Sequence, residues 1–266
     1  MKYIFDNDLH IHSKISTCSD DPEQTNERIL KYAIDNNLKT ICLTNHFWDE
    51  NVNGASEWYK TLHYARISSA KPLPQTDGIR FLFGCEIDLN KDFVLGISKE
   101  RYDLFDFIVI PTTHFHMTGF TLSEKEAENI EGRVNAWSKR LEAVLDMDLP
   151  FHKIGFAHLT CPLISPKKDR GIYLKILESL PEENMENLFT KVARLGAGIE
   201  LNYQDMCFND EEKDIVLRPY RVAKSCGCKF YMGSDAHHPD IFEKARTVFE
   251  RAVDLLDLNE EDKFHI

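Results

Sequence analysis

Seven apolar, strand-like segments of this chain each end in a side chain that can hold a metal ion, and they span its whole 266-residue length. They are DLHIH, with His10 and His12; TICLTNH, with His46; FLFGCEID, with Glu86; FIVIPTTH, with His114; IGFAHL, with His158; GIELN, with Glu200; and FYMGSDAH, with Asp235 and His237. Parallel strands that close into a barrel bring their C-terminal ends to one face. Ligands distant in sequence would then meet around one cavity. A polynuclear site of that kind points to hydrolysis.

Helix-patterned stretches separate the strands. QTNERILKYAIDNN puts Ile29, Leu30 and Ala33 on one side, with Pro22 expected in its first turn. SEWYKTLHYARISSA is expected to be helical with Ser56 as its N-cap. Ser123 opens SEKEAENIEGRVNAWSKRLEAVLDM, with Glu126 in the capping-box position. GIYLKILESL and EENMENLFTKVARL are separated by Pro181, and EEKDIVLRPYRVAKSC and FEKARTVFERAVDLLDL complete the set. Continuous apolar strands such as FIVIP are covered on both faces. An open doubly wound sheet gives the same alternation but draws its site from few strands. The expected fold is therefore α/β, a distorted seven-stranded (βα)7 TIM-like barrel, with residues 1–266 as a single domain.

The formal net charge of −12 excludes long nucleic acid as a partner, because counter-ion release cannot drive binding to such a surface. No apolar run reaches the ~18 residues of a membrane helix. The N-terminus, MKYIFDNDLH, lacks a signal-peptide pattern. A cytoplasmic protein without a membrane partner is expected; nothing in the sequence sets an oligomeric state. The seven cysteines show no paired spacing and read as small residues in a reducing compartment, with Cys18 the exception.

Alternation along a strand sends His10 and His12 to the same side, where two neutral nitrogens can grip one divalent ion. Asp20 is the preferred ligand from the first loop, with the Cys18 thiolate as its alternative. Glu86 follows an apolar strand, where an unpaired carboxylate is costly; it can also bridge two cations. Asp88 competes with it. His114 lies nearer its strand end than His116, which is left to face substrate. His158 ends the fifth strand, and Asp235 and His237 end the seventh after two small residues, Gly233 and Ser234, that let the chain approach the ions. Glu200 and Asn202 are placed behind the ligands as partners for their second nitrogens. Lys14, after the first strand, and Arg170, after His158, are the candidate phosphate-binding cations.

Together DLHIHS, LTNHF at 43–47, GCEID at 84–88, the histidines at 114 and 116, AHL at 157–159 and GSDAHHP at 233–239 resemble the PHP family, named for polymerase and histidinol phosphatase. The resemblance covers essentially the whole chain. It implies a distorted barrel holding up to three ions of zinc, iron or manganese. His10, His12, Glu86 and Asp235 would hold the first. Glu86 would bridge to a second, shared with His114 and His158. Asp20, His46 and His237 would hold a third. Asn45 stands where the family often has Asp, which reduces the expected support for His46.

The function this implies is phosphoester hydrolysis. A metal-bridging water is acidified enough to give hydroxide at neutral pH, and Asp235 or His237 would manage the proton of the leaving alcohol. A small phosphorylated substrate is expected, with histidinol phosphate foremost. Nucleotides, short oligonucleotide ends and phosphotyrosyl peptides are the alternatives. A non-catalytic metal-binding regulatory domain is the reading from another class.

Overall fold

Eight strands and eight α-helices follow one another along the computed structural model, which describes residues 1–266. The strands are β1 (Asn7–Ile11), β2 (Thr40–Leu43), β3 (Arg80–Phe83), β4 (Cys85–Glu86), β5 (Ile108–Pro111), β6 (Ile154–Ala157), β7 (Gly198–Asn202) and β8 (Lys229–Gly233). The helices are α1 (Asn26–Asp35), α2 (Tyr64–Ser68), α3 (Glu124–Ala127), α4 (Ile130–Leu145), α5 (Arg170–Glu178), α6 (Glu182–Leu195), α7 (Lys213–Ser225) and α8 (Ala245–Leu256). All strand pairings are parallel.

The ladders make two sheets, β1-β2-β3 and β4-β5-β6-β7-β8, rather than one continuous seven-stranded barrel. Gly84 marks the first break. A Cβ there would lie 2.5 Å from the Phe107 carbonyl oxygen and 2.8 Å from Cys42 Sγ. Glycine lets the expected third strand leave β2 and pair with β5. The second break lies between β1 and β8. There Asn7 Oδ1 accepts from Met232 N (3.1 Å) and Asp8 Oδ1 from Ser234 N (2.9 Å). Backbone bonds resume only at the strand ends, from Asp235 N to His10 O (2.7 Å) and from His12 N to Ala236 O (3.1 Å).

Every residue of β1, β5, β6 and β7 is buried, as expected of strands covered on both faces. The helices pack their apolar sides on the sheets; α1, for instance, buries Ile29, Leu30, Tyr32 and Ala33. Helix boundaries differ from expectation where a side chain offers a competing cap. Thr25 caps α1, which leaves Pro22 in the preceding turn. The Ser123–Glu126 capping box forms, but Asn129 Oδ1 accepts from Gly132 N (2.8 Å) and starts a new helix, dividing the long one. Ser56 Oγ accepts from Tyr59 N (3.3 Å) and opens only a short 3-10 turn before α2.

Arg140 of α4 is almost wholly buried. Its guanidinium donates to the carbonyls of Leu89 (2.6 Å), Thr112 (2.8 Å), Asn90 and Thr121. Burial lowers its pKa to about 10. One cation thereby fixes the chain just after the strands that deliver Glu86 and His114. No helix is long and apolar enough to cross a membrane.

Candidate metal centre

Glu86 is fully buried, and neither of its carboxylate oxygens has a hydrogen-bond partner. Imidazole nitrogens of five histidines surround it. His46 Nδ1 lies 2.8 Å, His12 Nε2 3.2 Å and His10 Nε2 3.5 Å from Oε2; His158 Nε2 lies 3.6 Å and His114 Nε2 3.8 Å from Oε1. Asp235 adds a second carboxylate, with Oδ1 3.1 Å from His12 Nε2 and Oδ2 3.6 Å from His158 Nε2. Burial alone would raise the Glu86 carboxyl; the facing charges of His46 and His10 overcome it and hold the group well below the usual range. Burial likewise opposes charge on His10, but Glu200, Asp235 and Glu86 outweigh it and raise that imidazole to about 10.

Three of these histidines, His10, His12 and His114, are turned inward by a bond on the other nitrogen. His10 Nδ1 donates to Glu200 Oε1 (2.6 Å). His12 Nδ1 donates to Ser16 Oγ (3.1 Å), and that hydroxyl donates to Asn45 Oδ1 (2.9 Å). His114 Nδ1 faces the Asp88 carboxylate at 3.2 Å, and Tyr59 OH donates to the same carboxylate. Asp88 therefore stands behind His114. Asn45 binds Ser13 and Ser16 of the first loop rather than the His46 ring. His158 (φ 60°) and Asp235 (φ 50°) hold left-handed backbone, a strain of roughly 1–3 kcal/mol each that the surrounding bonds must sustain.

Gly233 makes room for Glu200 rather than for ions. A Cβ on it would lie 1.9 Å from Glu200 Oε1. Gly233→Ala is therefore expected to displace Glu200, release the His10 ring and weaken metal binding by roughly 10–100-fold, the usual cost of losing such a partner. Metal-competition titration of the folded variant measures this.

Three sequence expectations change. Asp20 is exposed and outside the cluster. The turn from Ser16 to Ser19, tied by Ser19 Oγ to His237 O (2.7 Å), instead brings Cys18 Sγ to 3.1 Å from His237 Nε2. Lys14 is exposed beside Thr25 and Asn26, away from the cluster. Arg170 is held by Glu212 (2.7 Å from Nε to Oε1) and lies over the Tyr173 ring, because α5 begins at that residue and turns it toward α7. Lys168 is the one Lys or Arg lining the cleft above Glu86; its signal in sequence was only the doubled lysine of PKKDR. His116 does line that cleft, and burial with the neighbouring His114 pushes it down to about 4.

The cleft measures about 570 Å³. Its floor carries Glu86, His114, His158, Asp235, His46 and His237, and its wall Trp58, Tyr59, Met117 and Phe120. The donor set fits metal ions. His10, His12, Glu86 and Asp235 offer ligand atoms within 4.8 Å of one another, and so do Glu86, His114 and His158. Both Glu86 oxygens, Asp235 Oδ1 and His46 Nδ1 are buried without hydrogen-bond partners, an arrangement that is expensive unless a cation meets it.

A model of the PHP domain matches residues 8–260. No curated protein sequence matches the chain. Among solved structures, the histidinol phosphate phosphatase from Lactococcus lactis subsp. lactis Il1403, complexed with zinc, L-histidinol and phosphate, is similar in fold. It has TM-score 0.56 and 18% identity, over 93% of this chain and 93% of that one. A candidate histidinol phosphatase from Listeria monocytogenes has TM-score 0.62 and 13% identity, over 91% of this chain and 99% of that one.

Proposed function

Because the chain belongs to the PHP domain family, we propose that it is a metal-dependent phosphatase of small phosphomonoesters, with histidinol phosphate the foremost substrate. The observation that carries this is the buried, unbonded Glu86 carboxylate ringed by five imidazoles. Our reading joins the two sheets into the walls of a distorted barrel and takes residues 1–266 as one working unit.

In this reading His10, His12, Glu86 and Asp235 hold one ion, Glu86, His114 and His158 a second, and His46 and His237 a third. Zinc, iron and manganese all suit imidazole and carboxylate donors; the Lactococcus protein was seen with zinc. Bound ions would supply Lewis acidity and an acidified water for attack on phosphorus. The protein's own groups do the rest. Glu200, Ser16 and Asp88 orient His10, His12 and His114. Lys168 meets the phosphoryl oxygens as the cleft's cation, with His116, kept neutral, beside it. Asp235 and His237, at the end of β8, take charge of the leaving alcohol's proton. Where His237 Nε2 is engaged with an ion, that role would fall to Asp235 Oδ2, the oxygen turned away from His10 and His12. Trp58, Tyr59 and Phe120 form an aromatic wall, which suits an alcohol bearing a flat ring, as histidinol does.

Phosphate release by the zinc-, manganese- or iron-loaded protein tests the proposal, with histidinol phosphate, aryl phosphates and nucleotides compared side by side. Turnover of a monoester supports it. Tight metal binding with no turnover of any phosphoester would leave a metal-binding regulatory domain instead. Lys168→Ala is expected to raise KM by roughly 10-fold or more, as loss of a charge-assisted bond does. Lys14→Ala and Arg170→Ala should stay within about 2-fold of the parent, since solvated or already paired surface charges contribute little. Steady-state kinetics separate the three.

A further inference from the structure

We propose that Cys18 is a metal ligand, and that with His46 and His237 it forms a sulfur-containing position at the edge of the cluster that favours zinc over harder ions. The inference rests on the metal-dependent reading above and deepens it by assigning a donor and a metal preference.

Ligand atoms of His12, Cys18, His46 and His237 lie within 4.8 Å of one another. His12 is already committed elsewhere: its Nδ1 proton goes to Ser16, so Nε2 points to Glu86 at 3.2 Å and Asp235 at 3.1 Å. The remaining three converge on one gap. His237 Nδ1 donates to the carbonyl of Asp235 (2.8 Å), which leaves Nε2 as a lone pair facing Cys18 Sγ at 3.1 Å. His46 is 8% exposed, and its Nδ1, which no hydrogen bond satisfies, lies 2.8 Å from Glu86 Oε2 at the edge of the main cluster. Ser19 ties the loop to the end of β8 and holds Cys18 over this gap. A cation satisfies a thiolate and two imidazoles at once. Three protein donors also leave one coordination position open, as catalytic zinc sites do. A thiolate selects zinc over manganese or magnesium, which prefer oxygen.

The test uses the full chain, stripped and reloaded with zinc or cobalt(II). X-ray absorption of the zinc form is expected to show a sulfur shell at about 2.3 Å. The cobalt form is expected to show a near-ultraviolet thiolate-to-cobalt charge-transfer band. Cys18→Ser should lose both signals and weaken one ion by at least about 100-fold, more than loss of an outer partner usually costs. Cys161→Ser, at the cleft's other thiol, and Asp20→Ala should keep the band. A loaded wild-type protein without a sulfur shell overturns the inference while leaving the phosphatase reading intact. So does a band that survives Cys18→Ser or vanishes with Cys161→Ser. Failure to take up any ion overturns both readings together.

Discussion

Glu86→Gln is expected to lower phosphatase activity by about 10³-fold, the scale on which a single preorganised charge-stabilising group acts, and to reduce bound metal by at least one ion per chain. The amide keeps the shape of the side chain but loses the charge that five imidazoles face. It also cannot bridge two cations through paired anionic oxygens. Metal analysis by mass spectrometry, run beside phosphate release, checks both parts. Full metal content with full activity in this variant would remove the basis of the proposed function.

Stripping the ions with a strong chelator is expected to lower the melting temperature by about 8–16 °C. One ion at a thousand times its dissociation constant stabilises by about 4 kcal/mol, and each kcal/mol shifts a domain of this size by about 2–4 °C. The direction follows from the site. Without ions, Glu86 and Asp235 keep buried oxygens that no donor reaches. Calorimetry of the loaded, stripped and reloaded protein measures the shift, and an unchanged transition would contradict it.

The meeting of distant strand ends was legible in the sequence because it follows from two periodicities. Apolar runs of strand length alternate with helical ones, and a polar, ligand-type residue at the end of a buried strand has few other reasons to be there. His10, His12, His46, Glu86, His114, His158 and Asp235 come together on that logic alone. The loops obey different rules. Whether Cys18 or Asp20 turns inward is decided by hydroxyl bonds of Ser16 and Ser19, which no periodicity encodes. Nearness in sequence to a ligand points to Lys14 and Arg170, but the capped start of α5 and the Glu212 carboxylate carry Arg170 away. Gly233 looked like an approach to ions; its neighbour in space is Glu200, a residue of the adjacent strand, and only the register of β7 against β8 reveals it. The break at Gly84 is a matter of which strand lies alongside, information that a single chain's pattern lacks.

Side chains rather than a backbone ladder bind β1 to β8 along most of their length. His10 and His12 stand on one side of that seam and Asp235 on the other. An ion held by all three would rivet the two sheets together where the hydrogen-bond fabric is thinnest. Loading the site would then quiet breathing along the seam, and amide exchange at Ser234 and Met232 would slow when ions enter.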